Sequence, residues 1–276
     1  MTLGAVRDGT VRLHDYGAEL AFATAAGPAH ARVAQRTDGM LAIALDAPDA
    51  AAGLDRLRFL LGVDDDIAPF LAMAERDPLL AGPVARARGL RAPRTGTCVH
   101  ALIRALAGQL VTFSEARRIE RGIVFRVGRP HAGQRLSPER ADLARLSAAQ
   151  ICASGLAPRR AAALVRISAQ LDLERLVTAP PDGVAARLLR ERQLGPWSVG
   201  TFFLHGLGRY DRGLAGDLGL IKLCTALLGR RAESEDTVKL LEPYGEWAGL
   251  ASLHLLRATP ATLRQERAVE ARTASA

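Results

Sequence analysis

One stretch of this chain combines residue types that can do chemistry. In LGPWSVGTFFLHGLGRYDRGLAGDLGL, residues 194–220, Gly195-Pro196 precedes an apolar helical run, and a single carboxylate, Asp217, follows among glycines and leucines. A Gly-Pro turn at a helix start offers free backbone N–H groups at the positive end of the helix dipole, which is a seat for a phosphate. The same kind of turn also joins helices for packing alone. One helix and an arginine-bearing turn separate it from Asp217, a spacing that lets turn and acid face one cleft. Asp217 after Gly216 is also placed as the N-cap of a helix beginning at Leu218, and the two roles coexist because a cap fixes its side chain.

The charge of the chain is unevenly divided. Of 37 basic and 29 acidic side chains, residues 1–80 hold 7 and 12, which leaves 30 and 17 for the remainder of the 276 residues. The positive balance therefore lies in the C-terminal two thirds, as expected of a polyanion binder or of a solvated basic surface. Nearly all of it is arginine; the lysines are Lys222 and Lys239. Cys98, Cys152 and Cys224 lie far apart without a CxxC pair, so thiols alone assemble no zinc site or iron-sulfur cluster, and all three read as buried small apolar residues. No apolar run suits a membrane span and MTLGAVRDGT lacks a signal-peptide pattern, so a soluble, cytoplasmic protein is expected.

The elements that must position these residues differ along the chain. VRLHDY, GAELAFAT and ARVAQRTDGMLAIALDA read as strands, with Asp38-Gly39 marking a hairpin. From Ala50 the texture is helical, with Leu54, Leu57, Leu60 and Leu61 at spacings of three and four. After Asp77-Pro78 helices are expected throughout, with a fraying tail at ERAVEARTASA. Ser137-Pro138 is read as a helix start, Ser147 with Gln150 as a capping box, Pro158 as the start of a helix through Gln170, and Asp182 as the cap of a helix through Arg190. Val199, Phe202, Phe203 and Leu207 line one face of the helix opened by Pro196. The fold class is α+β: a small N-terminal antiparallel sheet domain with a helix, residues 1–80, followed by a helical domain, residues 81–276.

The serial order RDPLLAGPVARARGLRAP, VHALIRALAGQLVTFSEA, GLAPRRAAALVRISAQL, LGPWSVGTFFLHGLG, AGDLGLIK and YGEWAGLASLHLL resembles the helix-hairpin-helix superfamily of base-excision DNA glycosylases. The likeness is to its alkylation-repair branch, the DNA-3-methyladenine glycosylase II type. It implies a TBP-like sheet domain ahead of a helical glycosylase domain split across a DNA-binding cleft. The substrate it implies is duplex DNA with damaged bases, acted on by base flipping, and the protein is expected to be a monomer.

The resemblance also implies roles. Asp217 matches the essential acid, which stabilises positive charge on the sugar as the N-glycosidic bond breaks and aligns the attacking water. Trp197 stands where lyase-active glycosylases carry a nucleophilic lysine; a Schiff base needs an amine, so a monofunctional enzyme is expected, with Lys222 a surface residue. Trp197 and Trp247 match the aromatics of the base pocket, where each attracts a cationic base by roughly 0.5–2 kcal/mol. Leu110 matches the wedge inserted where the base has left, with Gln109 beside it. Periodicity alone would place Leu110 in the core, after Val99, Leu102, Ile103 and Leu106. The N–H groups of Gln193, Gly195 and Ser198 match the phosphate contacts. No redox cofactor or catalytic metal is implied; in the family the hairpin carbonyls can hold a monovalent cation.

The chain departs from the pattern at three places. The hairpin normally reads Leu-Pro-Gly-Ile-Gly, and here it is Glu191-Arg192-Gln193-Leu194-Gly195. A positive φ at Gln193 would cost about 1 kcal/mol or more. Thr201 replaces a second pocket aromatic, and Ala248-Gly249 replaces the Arg-Ser after the Trp247 position, which makes the pocket roomier. Three rivals follow: a non-catalytic DNA-damage binder of the same fold, a glycosylase for deaminated or oxidised bases, and a basic helical protein without a DNA role.

Overall fold

A computed structural model describes residues 8–257, so the expected fraying of the ERAVEARTASA tail lies outside the described residues. The chain begins with a four-stranded antiparallel sheet in sequential order: β1 (Val11–His14), β2 (Gly17–Thr24), β3 (Gly27–Gln35) and β4 (Leu41–Asp46). Leu20 pairs with Ala31 and Phe22 with Ala29, so one face of the sheet is apolar. That face buries Ala18, Leu20, Phe22, Ala29, Ala31 and Val33 against Leu57 and Leu60 of helix α1 (Ala50–Leu61). The alternation of side chains along β2 and β3 dictates this layer. Asp38 accepts from the Met40 N–H in the hairpin turn. Leu54 departs from the sequence reading: it is exposed, because the face that meets the sheet carries Leu57 and Leu60.

The other helices are α2 (Ala68–Ala74), α3 (Ala81–Arg86), α4 (Cys98–Ala107), α5 (Phe113–Val127), α6 (Arg140–Leu143), α7 (Ala148–Cys152), α8 (Pro158–Gln170), α9 (Pro181–Leu189), α10 (Pro196–Phe202), α11 (Leu218–Leu228), α12 (Ser234–Leu241) and α13 (Ala248–Leu255). By compactness the chain falls into two units, one made of residues up to Asp64 with Pro93–Gly208, the other of Asp65–Ala92 with Arg209 onward. Residue 80, the domain boundary expected from the sequence, lies inside the second unit. The first unit contains the sheet, α1 and α4–α10. Its helical core is built around α4, whose ten residues are all buried, with Ile119, Ile123, Leu164, Ile167, Leu188 and Phe203 packed around it. The second unit contains α2, α3 and α11–α13.

Several local expectations hold to the residue. Ser147 and Gln150 form the capping box of α7, and Pro158 and Gln170 bound α8. Two cap expectations are corrected. Ser137 opens no helix; it is buried and its hydroxyl accepts from the Gly96 N–H and contacts His100 Nδ1, while α6 begins at Arg140 with Glu139 and Asp142 as a capping box. Asp182 stands inside the first turn of α9 rather than capping it, because Pro181, with its preset φ, takes the first helical position. Cys98 and Cys224 are buried, whereas Cys152 is half-buried at the core edge. A short ribbon, β5 (Pro130–His131) with β6 (Gln134–Arg135), interrupts the helices and lies against the sheet, where Gln134 Nε2 donates to the Glu19 carbonyl at 2.8 Å. Among the described residues no helix is long and apolar enough to cross a membrane.

Candidate active site

In the first unit, α9 and α10 are joined by a tight turn. Glu191 anchors it: only 7% exposed, it accepts from Arg187 at 2.6 Å and from Arg166. The hydrogen bond from Arg166 holds the Glu191 carboxyl below its ordinary value, and the bond from Arg187 acts with it against burial. The Leu194 N–H closes the turn on the Glu191 carbonyl at 3.1 Å. Gln193 adopts φ +76°, the left-handed conformation that suits glycine. Gly195 is the N-cap residue of α10 and Pro196 its first residue. The next N–H groups, those of Trp197 and Ser198, have no carbonyl four residues back within the helix. The helix continues into a single π turn over Phe203–Leu207, in which every residue is buried.

A second turn lies beside this one. Helix α4 ends at Ala107, and Gly108, Gln109 and Leu110 lead to α5, which Thr112 caps. Leu110 is 82% exposed with φ +53°. The core position implied by its spacing from Leu106 is overturned, because α4 has already stopped. Gln109 turns into the protein: its Nε2 donates to the Gln193 carbonyl at 2.7 Å and the Ser198 hydroxyl at 2.8 Å. Trp197, half-buried, lies against Gly108. Thr201 is 4% exposed and donates its hydroxyl to the Trp197 carbonyl at 3.0 Å, a bond within α10 one turn back.

The second unit holds Asp217. It is the N-cap of α11, with Oδ1 accepting from the Gly219 N–H at 2.7 Å and the Asp217 carbonyl accepting from Ile221 N–H at 2.8 Å. The preceding loop is fixed by Gly216 N–H on Thr237 Oγ1 at 2.7 Å and Leu214 N–H on Ser252 Oγ at 3.0 Å. Asp217 is half-buried rather than sealed from water. Trp247, also half-buried, stacks near Tyr210 at 6.1 Å between centroids and meets Phe70 at 5.9 Å; Phe70 in turn stacks on His254 at 5.4 Å. The Tyr210 hydroxyl donates to Asp65 Oδ2 at 2.6 Å. Lys222 and Lys239 are both exposed.

One buried charge cluster has no local sequence signal. Asp8, His100 and Glu120 bring potential ligand atoms within 4.8 Å of one another. The Arg104 guanidinium already supplies the cation there, donating to Glu120 at 2.7 Å and Asp8 at 2.8 Å, and Arg117 donates to Glu120 at 2.5 Å. Burial alone would raise the Glu120 carboxyl; Arg104 and Arg117 hold it far below its ordinary value.

No protein-family model matches the chain. It is 24% identical over 206 residues to a DNA-3-methyladenine glycosylase of Bacillus subtilis, covering 71% of this chain and 68% of the relative. It is 30% identical over 217 residues to a bifunctional transcriptional activator/DNA repair enzyme AlkA of Mycobacterium tuberculosis, and spans 76% of this chain but only 43% of that relative. The structure superposes on a 3-methyladenine DNA-glycosylase from Archaeoglobus fulgidus with TM-score 0.80 at 17% identity, covering 92% of both chains. An 8-oxoguanine glycosylase/lyase from Clostridium acetobutylicum, solved with DNA, gives TM-score 0.70 at 14% identity, covering 89% of this chain and 96% of that one. The fold is therefore that of the helix-hairpin-helix DNA glycosylases. In sequence the chain is similar to DNA-3-methyladenine glycosylases and AlkA-type DNA repair enzymes.

Proposed function

We propose that this protein is a monofunctional DNA glycosylase that hydrolyses the N-glycosidic bond of alkylated purines of the 3-methyladenine type in duplex DNA. The observation that carries the reading is the half-buried carboxylate of Asp217, locked at the N-cap of α11. As the bond between C1′ and the base nitrogen breaks, its electron pair leaves with the base, which is already cationic and needs no strong general acid. Positive charge develops on the sugar, and a fixed carboxylate stabilises it without reorganising. Water then adds at C1′ and its proton passes to the Asp217 carboxylate or to solvent, which leaves an abasic site.

Trp197, in the first unit, and Trp247, in the second, are each proposed as an aromatic face for a flipped cationic base. Leu110, exposed on a turn in the left-handed conformation, is proposed as the wedge that fills the vacated stack. The N–H groups of Gln193, Gly195 and Ser198 are proposed to hold a DNA phosphate. With Trp197 at the hairpin position, no lysine stands in the hairpin to form a Schiff base, so the sugar-phosphate backbone is expected to stay intact.

The test is release of bases from methylated duplex DNA by the parent and by Asp217→Asn. Release by the parent, with loss of roughly 10²-fold or more in the variant, supports the reading. Strand nicking at neutral pH without added base contradicts monofunctional action. Binding without release favours the non-catalytic rival, for which the left-handed Gln193 is the specific observation. Release only from oxidised-base or uracil DNA favours a different lesion range.

A further inference from the structure

We infer that Gln109 is a positioning residue that couples the phosphate-binding turn to the wedge, so that seating a DNA backbone on one presents the other. The inference rests on the glycosylase reading above and deepens it. The carboxamide nitrogen of Gln109 lies 2.7 Å from the Gln193 carbonyl oxygen, which can only accept, so the amide orientation is chemically determined. Its second proton serves the Ser198 hydroxyl at 2.8 Å. One side chain thereby grips both the apex of the hairpin turn and the first helical turn after it. From the other side Arg160, two residues after Pro158 at the start of α8, donates to the Gln109 backbone carbonyl at 2.7 Å.

The residues bordering this link hold an uncommon backbone state. Gln193, whose carbonyl receives the bond, has φ +76°, and Leu110, the neighbour of the donor, has φ +53°. Left-handed conformations at residues other than glycine persist only where the surroundings over-determine them. The same turn touches the hairpin helix a second time, where Gly108 meets Trp197. Both N–H groups of the Gln109 amide are thus committed inside the protein, so the contribution of these bonds reaches DNA through Leu110 and Gln193. A shift of the hairpin on phosphate binding moves the Gln193 carbonyl, and through it the segment that carries Leu110.

Coupling of this kind is reciprocal and shows as non-additivity. The probe is a labelled duplex with one tetrahydrofuran abasic analogue next to 2-aminopurine, with anisotropy reporting binding and 2-aminopurine emission reporting unstacking by the wedge. Wild type, Gln109→Met, Leu110→Ala and the double variant are compared. Gln109→Met is expected to weaken binding and emission gain about tenfold in the wild-type background and less than about twofold beside Leu110→Ala. Equal weakening in both backgrounds overturns the coupling and makes Gln109 a support of the hairpin alone. Wild-type protein with no preference for the abasic duplex over undamaged DNA removes the glycosylase reading and the coupling together, an outcome distinct from the previous one.

Where melting shows that Gln109→Met does not fold, Arg160→Met loosens the same turn and carries the same expectation. Its salt dependence provides the control. Loss of a direct phosphate contact would lower the slope of log K against log salt by about 0.9, whereas a positioning role leaves the slope unchanged. A drop of that size overturns the role assigned to Arg160 and the coupling read through it.

Discussion

A β-carbon on Gly108 would lie 2.6 Å from Cη2 of Trp197, closer than real side-chain contacts come. The glycine that ends α4 therefore admits the indole of α10 to its position. Gly108→Ala is expected to displace Trp197, lower kcat/KM for base release about tenfold by disturbing the proposed base-stacking face, and alter tryptophan fluorescence. Unchanged emission and unchanged release would show that the indole is not held by this contact.

Asp217→Asn separates the observed capping role of that residue from the catalytic role proposed for it. Asparagine caps helices about as well as aspartate, so stability should change by less than about 0.5 kcal/mol while base release is lost. Asp217→Ala should lose base release and, in addition, about 1 kcal/mol of stability with the cap bond. Thermal melting beside a release assay reads both. An Asn variant that still releases bases would assign Asp217 to capping alone.

Gln193→Gly restores the residue type that the left-handed turn favours. Relief of the strain is expected to stabilise the protein by roughly 0.5–1 kcal/mol, a rise of about 1–4 °C in Tm. A lower Tm would mean that contacts of the Gln193 side chain outweigh its backbone cost.

Arg104→Met leaves Asp8 and Glu120 buried without their shared cation. Breaking a buried ion network by removing one member costs about 3–5 kcal/mol, so a fall in Tm of about 10 °C is expected. A loss no larger than that of a surface arginine would contradict the network's structural weight.

Stability should also fall in acid in two stages. Burial lowers His205 to about 3 and His254 to about 4, so each stays neutral in the folded protein. Below the ordinary value of 6.5 the unfolded chain takes up protons that these folded sites refuse, and stability drains away as pH falls from there toward about 4. Glu120 is held below its ordinary 4.5, so its contribution is intact above that pH and is lost beneath it. Melting across pH 8 to 3.5 should show a decline starting near 6.5 that steepens under 4.5, and His205→Gln should make the first stage shallower. A flat profile down to pH 4 would refute this account.

The residues explain why some of this was legible in the sequence and some was not. The β2 strand, the α8 boundaries and the α7 capping box rest on alternation, proline and a Ser/Gln pair three apart, which are local rules written in adjacent residues. Leu110 misleads because it continues the three-and-four spacing of Val99, Leu102, Ile103 and Leu106 past the point where the helix has stopped; periodicity reports polarity and not the backbone break at Gly108. The resemblance, unlike the periodicity, does not ask for a core position, and Leu110 is exposed. Ser137 and Asp182 look like caps because their neighbours include prolines, yet partners distant in sequence claim Ser137, and Pro181 claims the helix start from Asp182. The bonds of Gln109 to Gln193 and of Arg104 to Asp8 join residues 84 and 96 positions apart, beyond any windowed pattern.

The bond between Asp8 and Arg104 gives the opening segment a further significance. Asp8 comes just ahead of β1, and its carboxylate accepts from the arginine on the helix that leads to Leu110. The first strand's approach is therefore electrically part of the helical interior. Trimming the chain past Asp8 would not remove an ornament from a self-sufficient helical body; it would strip half the counter-charge from the arginine buried in the helix that leads to Leu110.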